Sequence, residues 1–247
     1  MSALPPDTVA RSVKSIGCLE PLLPLAALRV NGWNRRKVLI KTGHAQALGL
    51  ARFHLIGCSM GSFTSLMAVA NMPDNVHSLT LIGCSTGARN ASEQNQCRCD
   101  LEREIALLDH SGGQGAFDWF ANDSAYARMQ EKQPDVWNSY LKRLRGQSVQ
   151  GARSILKSVH WNRESLLKMS EDIQRIKAPV LVLLGEEDHP LVLQTAPFLQ
   201  ECLTHSSVIA VPKTGHLVHL EEPELFQKAV SEMINPSSST YTKDDAK

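Results

Sequence analysis

The chain has no uninterrupted run of about eighteen apolar residues, the length a helix needs to cross a bilayer, so no membrane span is expected. Nor is there an excess of either charge: 26 basic residues stand against 25 acidic ones, for a formal net charge of +1, and no basic block interrupts the sequence. That balance removes the electrostatic basis for binding nucleic acid or an acidic membrane surface. A second cysteine pair is missing too. Cys97-Arg98-Cys99 has no further C-x-x-C or closely spaced histidine pair to complete a ligand set, so no metal is expected. The other cysteines are Cys18, Cys58, Cys84 and Cys202. Cys58 and Cys84 end apolar runs, where cysteine serves as a small hydrophobe, and this usage fits a reducing compartment. The stretch CLEPLLPLAALRV is broken by Glu20, Pro21 and Pro24, which makes it a poor signal-peptide core. A cytoplasmic protein is expected. Its oligomeric state is not encoded in any pattern found.

What is present is enough for one large domain: 247 residues, 43% hydrophobic and 21% charged. From about residue 47 strands and helices alternate. FHLIGC (53–58) and HSLTLIGC (77–84) are short apolar runs, and MGSFTSLMAVANM (60–72) between them has helical composition and stops at Pro73. APVLVLLG (178–185) and SSVIAVP (206–212) are two further strands. Continuous apolar strands separated by helices predict a parallel sheet covered on both faces. Residues 88–177 hold Trp119, Trp137 and Trp161, many charges and no convincing strand. Within them DVWNSYLKRLRG sets Val136, Tyr140 and Leu144 on one helical face. This is a helical insertion between two core strands. Beyond Pro236, SSSTYTKDDAK is a polar tail with nothing to bury.

Two stretches carry G-x-S-x-G, LIGCSMG at 55–61 and LIGCSTG at 81–87, with no wider repeat behind them. The pattern presents a nucleophilic serine on a tight strand-to-helix turn, where flanking glycines avoid steric clash and the helix N-terminus faces a developing oxyanion. After Gly61 comes SFTSLMAVANM, suited to a helix buried against a sheet. After Gly87 comes ARNASEQNQCRCD, polar throughout and suited to a surface exit. Ser59 fits the mechanism, and Ser85 fits a strand end.

A serine hydroxyl needs a base to take its proton, and the base needs an orienting carboxylate. LVLLGEEDHP ends one core strand with Glu186, Glu187 and Asp188, and VPKTGHLVHLEEPELF ends the next with His216. The order Ser59, Asp188, His216 is that of Ser…Asp/Glu…His hydrolases, and all three fall beyond strand carboxyl ends, where open α/β sheets bind ligands. His219 is a rival base and His189 a pocket or solvent residue. Cys58 points away from the nucleophile's side of its strand.

With these motifs in order, residues 47–235 resemble the α/β-hydrolase superfamily, closest in style to esterases, lactonases and enol-lactonase-like enzymes. GCSMGS resembles its elbow, GEEDHP its G-x-x-D-x-P turn and GHLVHLEEPELF its G-H…E-x-P, with the usual separation of 28 residues from Asp188 to His216. The resemblance implies a mostly parallel doubly wound sheet whose core comprises 47–87 and 178–235, a helical cap at 88–177 and a disordered tail at 236–247. It also implies a serine hydrolase of small-molecule esters or lactones that needs no cofactor. Ser59 would attack, His216 would relay the proton and Asp188 would fix its tautomer. The Met60 N–H would supply half the oxyanion hole, and Trp119, Phe120 and Trp137 would line the acyl pocket. The family's earlier strands and its H-G loop, source of the second oxyanion donor, are not legible in residues 1–46. An N-terminally incomplete, marginally stable and weakly active chain is therefore expected. A non-catalytic ligand-binding relative shares the same motifs, as does a carbon–carbon bond hydrolase or cofactor-free haloperoxidase.

Overall fold

The computed structural model describes residues 51–111, 118 and 121–235. The expectations about residues 1–46, the tail, Trp119 and Phe120 lie outside the described residues.

Four strands form one parallel sheet in the order β1-β2-β3-β4: Phe53–Cys58, Val76–Ile82, Val180–Gly185 and Ser206–Val211. β3 is buried at every position, which is why its sequence is apolar without alternation. β1 and β4 are the edges among the described residues, and both are only partly buried.

The helices in chain order are α1 (Met60–Asn71), α2 (Ala91–Ser111), α3 (Ala127–Lys132), α4 (Pro134–Arg145), α5 (Val149–Ile155), α6 (Ser170–Gln174), α7 (Pro190–Leu193), α8 (Thr195–Cys202), α9 (Val218–Glu221) and α10 (Pro223–Ile234). Among the described residues no helix is long and apolar enough to cross a membrane. Successive strand side chains point to opposite faces. Leu79, Leu81, Val180, Val182 and Leu184 pack with Phe63, Leu66 and Val69 of α1, Ile173 of α6 and Leu199 of α8. On the other face Cys58, Ile82, Leu181, Leu183 and Val211 pack with Trp137, Tyr140, Leu141 and Leu144 of α4, Val218 of α9 and Ala229 of α10.

Between β2 and β3 the described residues are helical or irregular. Part of this insertion lies on the sheet itself, because Tyr126, Met129 and the apolar face of α4 belong to the second cluster. The buried arc of α4 differs from the one its spacing suggested. Trp137, Tyr140, Leu141 and Leu144 are buried, whereas Val136 is 37% exposed. One residue turns the helix by about 100°, and turning in the far larger Trp137 buries more apolar area than turning in Val136.

Candidate active site

β1 ends at Cys58 and α1 begins at Met60, so Ser59 alone makes the turn. Its φ of 53° and ψ of −119° lie where non-glycine residues are rare. Lys213 is the other positive-φ non-glycine among the described residues. Such a conformation costs on the order of 1–3 kcal/mol and persists only where its surroundings over-determine it. Here the Ser59 N–H donates to the Ile82 carbonyl at 2.8 Å, and its own carbonyl accepts from the Ser62 N–H at 2.9 Å and the Phe63 N–H at 3.3 Å. The buried Ser62 hydroxyl accepts from the Ile82 N–H at 3.0 Å and faces the Gly57 and Ile82 carbonyls at 2.7 and 2.8 Å. A side chain at Gly57 would collide with the Gly61 carbonyl, so the turn tolerates no Cβ there. Ser85 has none of this. The chain beyond β2 runs without regular structure to α2, and the Ser85 hydroxyl accepts from the Gly87 N–H at 3.1 Å.

The other two expected site residues meet directly. His216 Nδ1 lies 2.9 Å from both carboxylate oxygens of Asp188, whose side chain is fully buried, while that of His216 is 10% exposed. Asp188 Oδ1 also accepts from the His189 N–H at 2.6 Å. With two carboxylate oxygens facing Nδ1, that nitrogen carries the proton and Nε2 is the basic one. The ring rests on Gly83: a Cβ there would stand 2.7 Å from Cε1 and 2.9 Å from Nδ1. Gly83 follows Ile82, whose carbonyl holds the Ser59 N–H, so the imidazole and the elbow share one backbone support at the strand ends.

The rival residues are engaged elsewhere. Glu187 forms an exposed pair with Arg128, Nε to Oε2 2.6 Å, and Glu186 is exposed. His189 is exposed, and its Nδ1 accepts from the Leu191 N–H at 3.2 Å. Met60 opens α1, where an N–H has no intrahelical acceptor. Trp137 is buried in a stack, 5.8 Å from the Tyr126 ring and 5.7 Å from the Tyr140 ring, and Tyr126 meets the His216 ring edge-on at 5.7 Å.

One functional candidate was present in the sequence without a role. Glu221 is the glutamate of G-H…E-x-P, and its carboxylate brackets the histidine. Oε2 accepts from the Gly215 N–H at 2.8 Å and Oε1 from the Leu217 N–H at 3.1 Å. The His216 N–H donates to the Ala125 carbonyl at 2.9 Å, so three successive amides are fixed. Burial pushes the Glu221 carboxyl pKa up, and the two amide bonds oppose that push. Glu221→Gln keeps one acceptor and turns an NH₂ toward the other amide. An unsatisfied buried donor costs about 1–3 kcal/mol, so at about 2–4 °C per kcal/mol for a chain of this size the melting temperature should fall by roughly 2–12 °C. An unchanged melting curve would mean the clamp contributes nothing.

His219 sets an acid limit. Its Nδ1 is buried without a partner, its ring meets Phe226 edge-on at 5.9 Å, and burial followed by the charge of His216 lowers its pKa to about 4. Between pH 4 and 6.5 the unfolded chain therefore binds a proton that the folded chain refuses. The stability this group contributes is full above about 6.5 and lost as pH falls through about 4, a loss of about 3 kcal/mol at most. Urea unfolding at stepped pH should show that slope, and His219→Phe should flatten it.

A family model described as alpha/beta hydrolase fold matches residues 44–223. The chain is 28% identical over 231 residues to the "Putative 2-succinyl-6-hydroxy-2,4-cyclohexadiene-1-carboxylate synthase" of Bacillus subtilis, covering 93% of this chain and 82% of that protein. It is 26% identical over 179 residues to the 3-oxoadipate enol-lactonase 2 of Acinetobacter baylyi, covering 72% of this chain and 62% of that one. Its fold is like that of MenH from S. aureus, with a TM-score of 0.75 at 18% identity, over 87% of this chain and 80% of the other.

Proposed function

The chain belongs to the alpha/beta hydrolase fold family, and from that premise we propose that it is a serine hydrolase of carboxylic esters, lactones or related acyl bonds. The observation that carries the reading is the strained Ser59 turn beside a histidine whose Nδ1 is held by a buried carboxylate. His216 Nε2 takes the Ser59 proton as Oγ attacks the acyl carbon. Asp188 stabilises the imidazolium that forms, and the leaving alcohol then receives that proton. Water hydrolyses the acyl-enzyme by the same relay. The Met60 N–H, at the positive end of α1, faces the developing oxyanion.

In this reading residues 88–177 act as a cap, with Trp119 and Phe120 at the acyl pocket and Trp137 set behind it against the Tyr126 ring that meets His216, and no cofactor takes part. The substrates are small molecules, as the lactonase relative's name suggests. The cytoplasm suits the chain, since Cys84, Cys97, Cys99 and Cys202 are free thiols among the described residues. The direct test is labelling with a fluorophosphonate, which reacts fast only with an activated serine. The adduct should be found by mass spectrometry on Ser59. An adduct on Ser85, or none, would remove the proposal.

A further inference from the structure

Arg163, from the insertion, reaches into the region between the two G-x-S-x-G segments. A guanidinium carries five N–H donors. Nη2 donates to the Ser85 carbonyl, Nη1 meets the Met60 sulfur at 3.7 Å, and Nε is sealed from solvent without a partner. The planar group lies over the Phe63 ring, 4.5 Å from its centroid. No carboxylate answers this charge among the described residues. Its titratable neighbours are the thiols of Cys84 and Cys97. Burial raises the pKa of both, that of Cys84 to about 12, so both are neutral. Burial also pulls the Arg163 pKa down. A half-buried cation with one donor sealed from water, and no anion to meet it among the described residues, is a costly arrangement, and a bound anion would relieve it.

Its position says which anion. Met60 follows the nucleophile candidate directly, Phe63 donates its N–H to the Ser59 carbonyl, and Ser85 stands two residues beyond Gly83, on which the His216 ring rests. The guanidinium thus borders the reacting centre. We propose that Arg163 anchors a carboxylate on the acyl part of the substrate, so that the substrates are half-esters or lactones of dicarboxylic acids. The planar fork matches a carboxylate with two parallel hydrogen bonds, which an ammonium cannot do. The inference rests on the reading of Ser59 as nucleophile, but its binding part is separable from catalysis.

Two 4-nitrophenyl esters make the comparison, the hemisuccinate and the butyrate, which differ at the chain end by a carboxylate against a methyl. Arg163→Met should lower kcat/KM for the hemisuccinate by about 10–100-fold, the scale of a charge-assisted hydrogen bond, and change the butyrate rate little. Equal losses on both esters would mean that Arg163 only ties the insertion to Ser85, and would overturn the proposal. A second arm needs no turnover. On the Ser59→Ala chain, monomethyl succinate should raise the melting temperature and methyl butyrate should not, and adding Arg163→Met should abolish the shift. No shift, or a shift that survives Arg163→Met, overturns the anion site. If neither ester is hydrolysed by the parent chain, the hydrolase reading fails while this arm still decides the site. If Arg163→Met does not fold, Arg163→Lys replaces it: the preference for hemisuccinate should drop severalfold at a constant butyrate rate, and an unaltered ratio counts against the proposal.

Discussion

Ser59→Ala should abolish fluorophosphonate labelling and lower ester turnover by roughly 10⁶-fold, the scale seen when a triad serine is removed, whereas Ser85→Ala should leave both within a few fold. The two serines sit in nearly identical heptapeptides, so only the residues that follow, apolar after Gly61 and polar after Gly87, separate them in sequence. Backbone conformation separates them too. Ser59 is held at φ 53° with a helix starting at the next residue, so its N–H and carbonyl are spent on the turn and its side chain is thrust out at the strand end. Ser85 lies in an irregular segment, its hydroxyl bound to the Gly87 N–H and its carbonyl to Arg163. Alanine occupies less space than serine and keeps the same backbone, so loss of fold is not the expected outcome at either position. A melting curve for each variant checks this. Retained labelling in Ser59→Ala would transfer the nucleophile elsewhere.

Asp188→Asn should lower turnover by about 10⁴-fold, as in comparable triads, while Glu186→Gln and Glu187→Gln should change it little. The amide oxygen at position 188 would take the His189 N–H, which now donates at 2.6 Å, because the NH₂ cannot accept it. The NH₂ then faces His216 Nδ1. That nitrogen must become an acceptor, which moves the proton to Nε2 and leaves nothing to receive the serine proton. Glu187 pairs with Arg128 at the surface, with side chains 42% and 36% exposed, and such pairs contribute about 0–1 kcal/mol. The split between kcat and KM is the discriminating measurement: a mis-set tautomer leaves substrate affinity nearly unchanged while turnover collapses. Comparable losses for all three variants would mean that the acid is not Asp188.

The sequence by itself determined the strands, their parallel arrangement and the elbow. These are local or nearest-neighbour properties. A strand buried on both faces must be apolar throughout, as β3 is, and a Gly-x-Ser-x-Gly turn carries its own steric requirement at Gly57. Strand bounds read from composition therefore fell within about two residues of those observed. The motif order also narrowed the acid to three adjacent residues and the base to His216 or His219.

Tertiary structure decided what depends on partners far away in the chain. Asp188, not its neighbours, faces His216, because β3 and β4 are adjacent in the sheet and deliver their loops side by side. Trp137 rather than Val136 turns inward, because the sheet face opposite offers a large apolar surface. Glu221 stood in plain view within its motif, yet its role rests on two backbone amides on either side of the histidine, which only the folded loop brings to its oxygens. Arg163 reads in sequence as one more surface charge between Asn162 and Glu164. Charge in a sequence says nothing about solvent access. Burial is a property of what the rest of the chain packs around a residue, and here that packing leaves a guanidinium beside the elbow without a carboxylate to meet it among the described residues.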